Sequence, residues 1–75
     1  MKNQIIKLMT PEEVQEFVNI ASRYDFDIDL KSGAHYLDGK SFLGLLTQGL
    51  ERELVVLSRG NDITFSNMIQ KFAVA

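Results

Sequence analysis

Asp25-Phe26-Asp27-Ile28-Asp29-Leu30 alternates without a break between carboxylates and large apolar side chains. In an extended chain successive side chains point to opposite faces. The three acids therefore share one face, and Phe26, Ile28 and Leu30 share the other. Burying unpaired carboxylates costs far more than a small domain can offset. The sheet that holds this strand must keep one face in water and cover only the other. That excludes a parallel sheet enclosed between two helical layers and points to an α+β, open-faced, two-layer sandwich. The acid row also invites a reading as a cation site. Neighbours on one strand face stand roughly 6–7 Å apart, too far for a compact cage unless a loop folds round the ion, so the row is read as a solvated face.

Outward from this strand, Lys31-Ser32-Gly33-Ala34 supplies turn residues, and His35-Tyr36-Leu37-Asp38 can return antiparallel as a hairpin partner. Upstream, Gln4-Ile5-Ile6-Lys7-Leu8 reads as a short strand with Ile6 and Leu8 on one face and Lys7 on the other. Thr10-Pro11-Glu12-Glu13 is a helix start: Thr10 caps, Pro11 fits the first helical position, and Glu13 completes a capping box on the Thr10 amide. Val14, Phe17, Val18 and Ala21 then follow helical spacing, which predicts a helix over residues 11–24 with Glu12, Glu16, Asn19 and Arg23 outside.

Downstream, residues 53–58 (Glu-Leu-Val-Val-Leu-Ser) are β-rich enough for a central strand. Residues 59–62 form a turn, with Asn61 or Asp62 capping a last helix. In that helix Phe65, Met68, Ile69, Phe72 and Ala73 lie opposite Asn67, Gln70 and Lys71. The expected order is β-α-β-β-α-β-α, a four-stranded antiparallel sheet covered on one face by helices. The expectation is one domain spanning residues 1–75.

Between the hairpin and the central strand lies Lys40-Ser41-Phe42-Leu43-Gly44-Leu45-Leu46-Thr47-Gln48-Gly49. Ser41 can cap a short helix over residues 42–48, and Gly49 can stop it. Phe42, Leu43, Leu45 and Leu46 are too many apolar groups for so short a helix to bury on one side. Leu45 is the one expected under the sheet, and some of the others face water, the mark of a surface for a partner.

Composition narrows the function classes. The chain has no cysteine, so disulfides and thiolate metal sites are excluded, and a reducing compartment suits it. A net charge of −2 without a basic stripe argues against nucleic acid. No apolar run approaches a membrane span, and Met1-Lys2 leads into polar residues, so the expected location is the cytoplasm. His35 is the only histidine. A metal site or catalytic dyad would need convergent partners that no spacing suggests, and neither metal nor cofactor is expected.

Ala21-Ser22-Arg23-Tyr24-Asp25 and the Lys40 to Gly49 stretch resemble the bacterial HPr family, the phosphocarrier proteins of the phosphoenolpyruvate-dependent sugar phosphotransferase system. The likeness runs from the first helix through the fourth strand, with the loop before that strand shorter than usual and the tail after the third helix trimmed. It implies the same fold, with protein partners: phosphotransferase components, an HPr kinase or a transcriptional regulator. It implies a partner surface at Lys40, Ser41, Phe42, Leu43 and Leu46, with Ser41 as the regulatory phosphorylation candidate.

The family's chemistry requires a histidine at the start of the first helix, followed by an arginine. Thr10 and Glu12 stand at those positions here, so histidine phosphocarrier activity is expected to be absent. The resemblance implies a non-catalytic regulatory or binding module, a monomer or weak dimer. Two alternatives remain: a phosphocarrier with a non-standard acceptor, and an orphan domain that retains only the fold.

Overall fold

The computed structural model describes residues 4–60 and 62–74. Four strands, β1 (Ile5–Lys7), β2 (Ile28–Ser32), β3 (His35–Asp38) and β4 (Glu53–Ser58), form one sheet in the order β1-β4-β2-β3. Every neighbouring pair is antiparallel, with Ile6 opposite Leu54, Leu30 opposite Val56, and Leu30 opposite Leu37 on its other side. Three helices, α1 (Pro11–Ala21), α2 (Phe42–Gln48) and α3 (Ile63–Met68), complete the order β-α-β-β-α-β-α. The α+β open-faced sandwich expected from the acid row is the fold.

Alternation assigns the faces. Ile6, Ile28, Leu30, Leu37, Leu54 and Val56 are buried under the helices. Ile5, Val55, Lys31 and Tyr36 form one row across the open face, with the Lys31 ammonium 5.8 Å from the Tyr36 ring centre. Asp25 and Asp27 are exposed and Asp29 is half-buried.

The core gathers on the helical side around Phe17, which meets Phe65 and Phe72 edge-on at 6.4 and 6.1 Å between ring centres. Tyr24 and Phe26 extend this cluster against Phe65 at 5.3 and 6.0 Å. Such pairs add to the burial of their large apolar area. The cluster also explains where the elements depart from their expected bounds. After Ala21 the backbone tightens into three-residue turns (Arg23 N–H to Ile20 O, Tyr24 N–H to Ala21 O), so α1 stops before Tyr24. Phe26 packs with the aromatics, and β2 begins at Ile28 rather than Asp25, then runs on to Ser32. The hairpin turn shrinks to Gly33-Ala34, with Gly33 in the left-handed region.

At the start of α1, the Thr10 hydroxyl accepts the Glu13 amide at 3.1 Å, as a cap should. The Glu13 carboxylate accepts from the Met9 amide at 2.8 Å, not from Thr10. With Thr10 extended and Pro11 fixing the first helical φ, the acid reaches across the cap to the preceding residue.

The last helix is capped by Asp62; the alternative cap, Asn61, lies outside the described residues. It does not run through residue 73. It ends at Met68, one 3-10 turn follows (Gln70–Phe72), and Ala73 then pairs with Ile6 on the outer edge of β1. The break keeps Phe65, Ile69 and Phe72 buried but turns Met68 outward, 40% exposed, so Met68 is not core. The closing segment also covers a sheet edge that would otherwise stay open.

Two outcomes test this packing. Gly39 donates to the Ile28 carbonyl at 2.8 Å, and a Cβ there would lie 2.7 Å from the same oxygen, in the backbone of an interior strand. Gly39→Ala should cost about 1–3 kcal/mol in chemical denaturation; a neutral result would mean the hairpin exit is loose.

The Asp62 carboxyl is held below its ordinary value of 3.8, chiefly by the Thr64 hydroxyl, with the Thr64 and Phe65 amides adding to it and desolvation opposing. A lowered folded value means that the cap's contribution is present above pH 3.8 and is lost as pH falls through the folded value. Carboxyl titration by NMR should place the Asp62 midpoint below 3.8, and Asp62→Asn should remove the acid-side loss of α3 signal.

Candidate functional site

Helix α2 is built as its sequence prescribes. Ser41 is extended and its hydroxyl accepts the Gly44 amide at 3.2 Å; its carbonyl takes the first helical bond from Leu45 at 3.1 Å. At the other end the Gly49 amide closes on Leu45 O at 2.8 Å. Thr47 turns its hydroxyl back to Leu43 O at 2.9 Å.

Leu45 is fully buried and anchors the helix. At 3.6 residues per turn, Phe42 lies about 60° from Leu45 around the axis, Leu46 about 100° and Leu43 about 160°. Burial follows that order. Phe42 packs partly against the core, Leu46 is half-buried, and Leu43 is 69% exposed. The open part of the apolar patch is Leu43, edged by the other two. It is narrower than four apolar residues in seven suggest.

Lys40, expected on the partner surface beside Ser41, is engaged in the fold. Its ammonium donates to the Tyr24 carbonyl at 2.6 Å, and its amide donates to the Asp38 carboxylate at 2.9 Å. The side chain therefore ties the exit of α1 to the entrance of α2. A charge at Ser41 would find that ammonium already engaged.

The tip of α1 holds Thr10 and Glu12 where the resemblance implies a histidine and an arginine. Both are exposed. The Thr10 hydroxyl is occupied by the Glu13 amide, Pro11 has no N–H, and two acids stand in the first turn. Such a tip repels anions that a helix N-terminus would otherwise attract.

His35 is exposed in β3, directly opposite Ser32. It does not stand alone. With Ser32, Leu37, Thr47, Gln48 and Arg52 it lines an open cleft of about 280 Å³, to which residues 9–13 do not contribute. Arg52 and Gln48 escaped the sequence reading, because nothing in their spacing announces that α2 ends beside the hairpin turn. Among the described residues no group of three or more His, Asp or Glu side chains is placed to hold a metal ion, and no helix is long and apolar enough to cross a membrane.

No protein-family model matches the chain, and no curated protein matches it.

Paired substitutions on α2 separate surface from core. Leu43→Asp should change stability by no more than about 0.5 kcal/mol, whereas Leu45→Ala should lose about 2–5 kcal/mol. Equal losses in thermal or denaturant unfolding would make Leu43 a packing residue.

Proposed function

We propose that this chain is an HPr-like module that has left phosphocarrier chemistry behind and acts by docking to protein partners through α2, with Ser41 as a phosphorylation switch. The observation that carries this reading is Leu43: a leucine 69% exposed, two residues from a capping serine, on a helix where Leu45 is buried and Phe42 and Leu46 are only partly so. The partner surface comprises Ser41, Leu43 and the accessible parts of Phe42 and Leu46, with Lys40 beneath them as a structural tie.

Phosphorylation of Ser41 adds roughly two negative charges at the edge of that surface. The first-turn amides of α2 favour the added charge, while the engaged Lys40 leaves it largely unneutralised. The switch then works by presenting charge beside Leu43, which changes which partners can desolvate it. The fold does not need to move. A phosphate on Thr10 would be an ester rather than a labile phosphoimidazole, so the reading assigns no phosphoryl transfer to the α1 tip. A bacterial cytoplasm with phosphotransferase components, an HPr kinase or a transcriptional regulator supplies partners of the right kind.

Pull-down with purified phosphotransferase enzymes and HPr kinase tests it. Wild type and Ser41→Ala should retain a partner that Leu43→Asp loses and Ser41→Asp alters. Intact-mass measurement after incubation with phosphoenolpyruvate and the phosphotransferase enzyme should give no acid-labile adduct. Such an adduct would restore the phosphocarrier reading, and failure to bind any component would leave an orphan fold.

A further inference from the structure

The cleft beside His35 is assembled by three separate segments, and its chemistry differs from that of the α2 surface. Ser32 and His35 face each other across the hairpin, and alternation puts both on the helix-covered face with Leu30 and Leu37. They lie beyond the core because α2 ends at Gln48. Leu37, 8% exposed, is the floor. Thr47 and Gln48 form one wall, and Arg52 comes from the turn into β4.

That turn is strained. Glu51 is the one non-glycine residue with positive φ among the described residues, at 65°, a conformation that costs an L-residue about 1–2 kcal/mol. It is held by the Glu51 amide on Leu8 O at 2.8 Å and the Arg52 amide on Gly49 O at 3.3 Å. The same turn delivers Arg52 to the cleft, while Glu51 is not among the lining residues.

The side chains of Ser32, His35, Gln48 and Arg52 make no hydrogen bond or ion pair with another described residue. Each can donate, and Arg52 carries a permanent charge with a planar fork that matches an oxyanion. No carboxylate lines the cleft, although the chain as a whole is acidic. A tetrahedral anion has oxygens for donors that arrive from several sides; its organic remainder could lie on Leu37. The cleft, about 280 Å³ and open to solvent on one side, leaves room for an organic group beside the anion.

We infer that this cleft binds the phosphoryl group of a small phosphate monoester, with Arg52 as the anchoring cation and Ser32, His35 and Gln48 as further donors. The site is independent of the α2 docking surface and of any reaction at the α1 tip.

The test is an amide and side-chain NMR titration of the full ¹⁵N-labelled chain with glycerol phosphate and, separately, with inorganic phosphate, at ionic strength held constant with sodium chloride. Saturable shifts should cluster at Ser32, His35, Gln48 and Arg52, with the ester binding at least threefold more tightly than the free ion. Arg52→Gln should weaken the ester tenfold or more while the rest of the spectrum stays in place, because its exposed side chain holds nothing in the fold. Ser32→Ala should weaken it severalfold, and Ser41→Ala should leave it unchanged. Shifts scattered over the surface, or equal affinity in Arg52→Gln, overturn the inference. Free phosphate binding as tightly as the ester overturns the monoester assignment.

Discussion

Strand β4 pairs with β1 on one side and β2 on the other, and the rest of the molecule is arranged by that insertion. β1 and β2 are parallel to each other with β4 between them, so α1 carries the chain over a gap that only a later segment fills. β3 and β4 likewise run parallel with β2 between them, and α2 makes that crossing. Neither crossover closes on a complete sheet until Leu54 and Val56 arrive. Since both faces of β2 are committed by its alternation, both helices must cross on the side of Ile28 and Leu30. The sheet is thus held by pairings distant in sequence, which makes its assembly slow relative to its size.

The short helices are not stable on their own account. Two turns lie well below the length at which an isolated helix persists in water, so α2 and α3 depend on caps and on burial. Ser41 and Asp62 supply the caps; Leu45 and Phe65 supply the burial. Gln4 adds a tie at the far end: its side chain donates to Ser66 O at 3.3 Å and accepts from the Ser66 hydroxyl at 3.1 Å. Together with the Ala73 pairing on Ile6, this fastens the last helix to the first strand, so both ends of the described chain hold one edge of the sheet.

What could be read from the sequence was whatever is decided locally. α2, β3 and β4 lie between the expected residues because caps, a stop glycine and alternation act within a few positions. The open face was expected from carboxylate energetics at Asp25, Asp27 and Asp29, and of these only Asp29 lies within β2. Apart from the Glu13 carboxylate, which takes the Met9 amide in place of Thr10's, the departures come from distant contacts. Phe26 fits a strand pattern yet is claimed by Tyr24 and Phe65; Met68 fits the helical stripe yet is turned out when Phe72 packs on Phe17. Lys40 next to Ser41 looks like a cation waiting for a phosphate until the Tyr24 carbonyl is seen beside it. The candidate site divides the same way. Ser41 and the angular order of Phe42, Leu46 and Leu43 are written in the helix itself, whereas the meeting of Arg52 with His35 depends on where the hairpin ends against α2.

The exposure of Leu43 has a geometric cause rather than a packing one. Once Leu45 is driven into the core, a side chain about 160° away around the axis cannot reach the sheet however the neighbours repack. Stability gives little reason for an apolar residue there, because lysine, glutamate or glutamine would serve a helix nearly as well as leucine and would be better solvated. Phe42 and Leu46, nearer the anchor, each recover part of their burial and need no other account. On α2 Leu43 alone is mostly exposed, although Ile63 at 75% and Tyr36 at 64% lie as open elsewhere on the surface. A single exposed leucine is ordinary on protein surfaces, so its weight comes from its company: a capping hydroxyl two residues away, at the point where one added charge would alter the solvation of that side chain most.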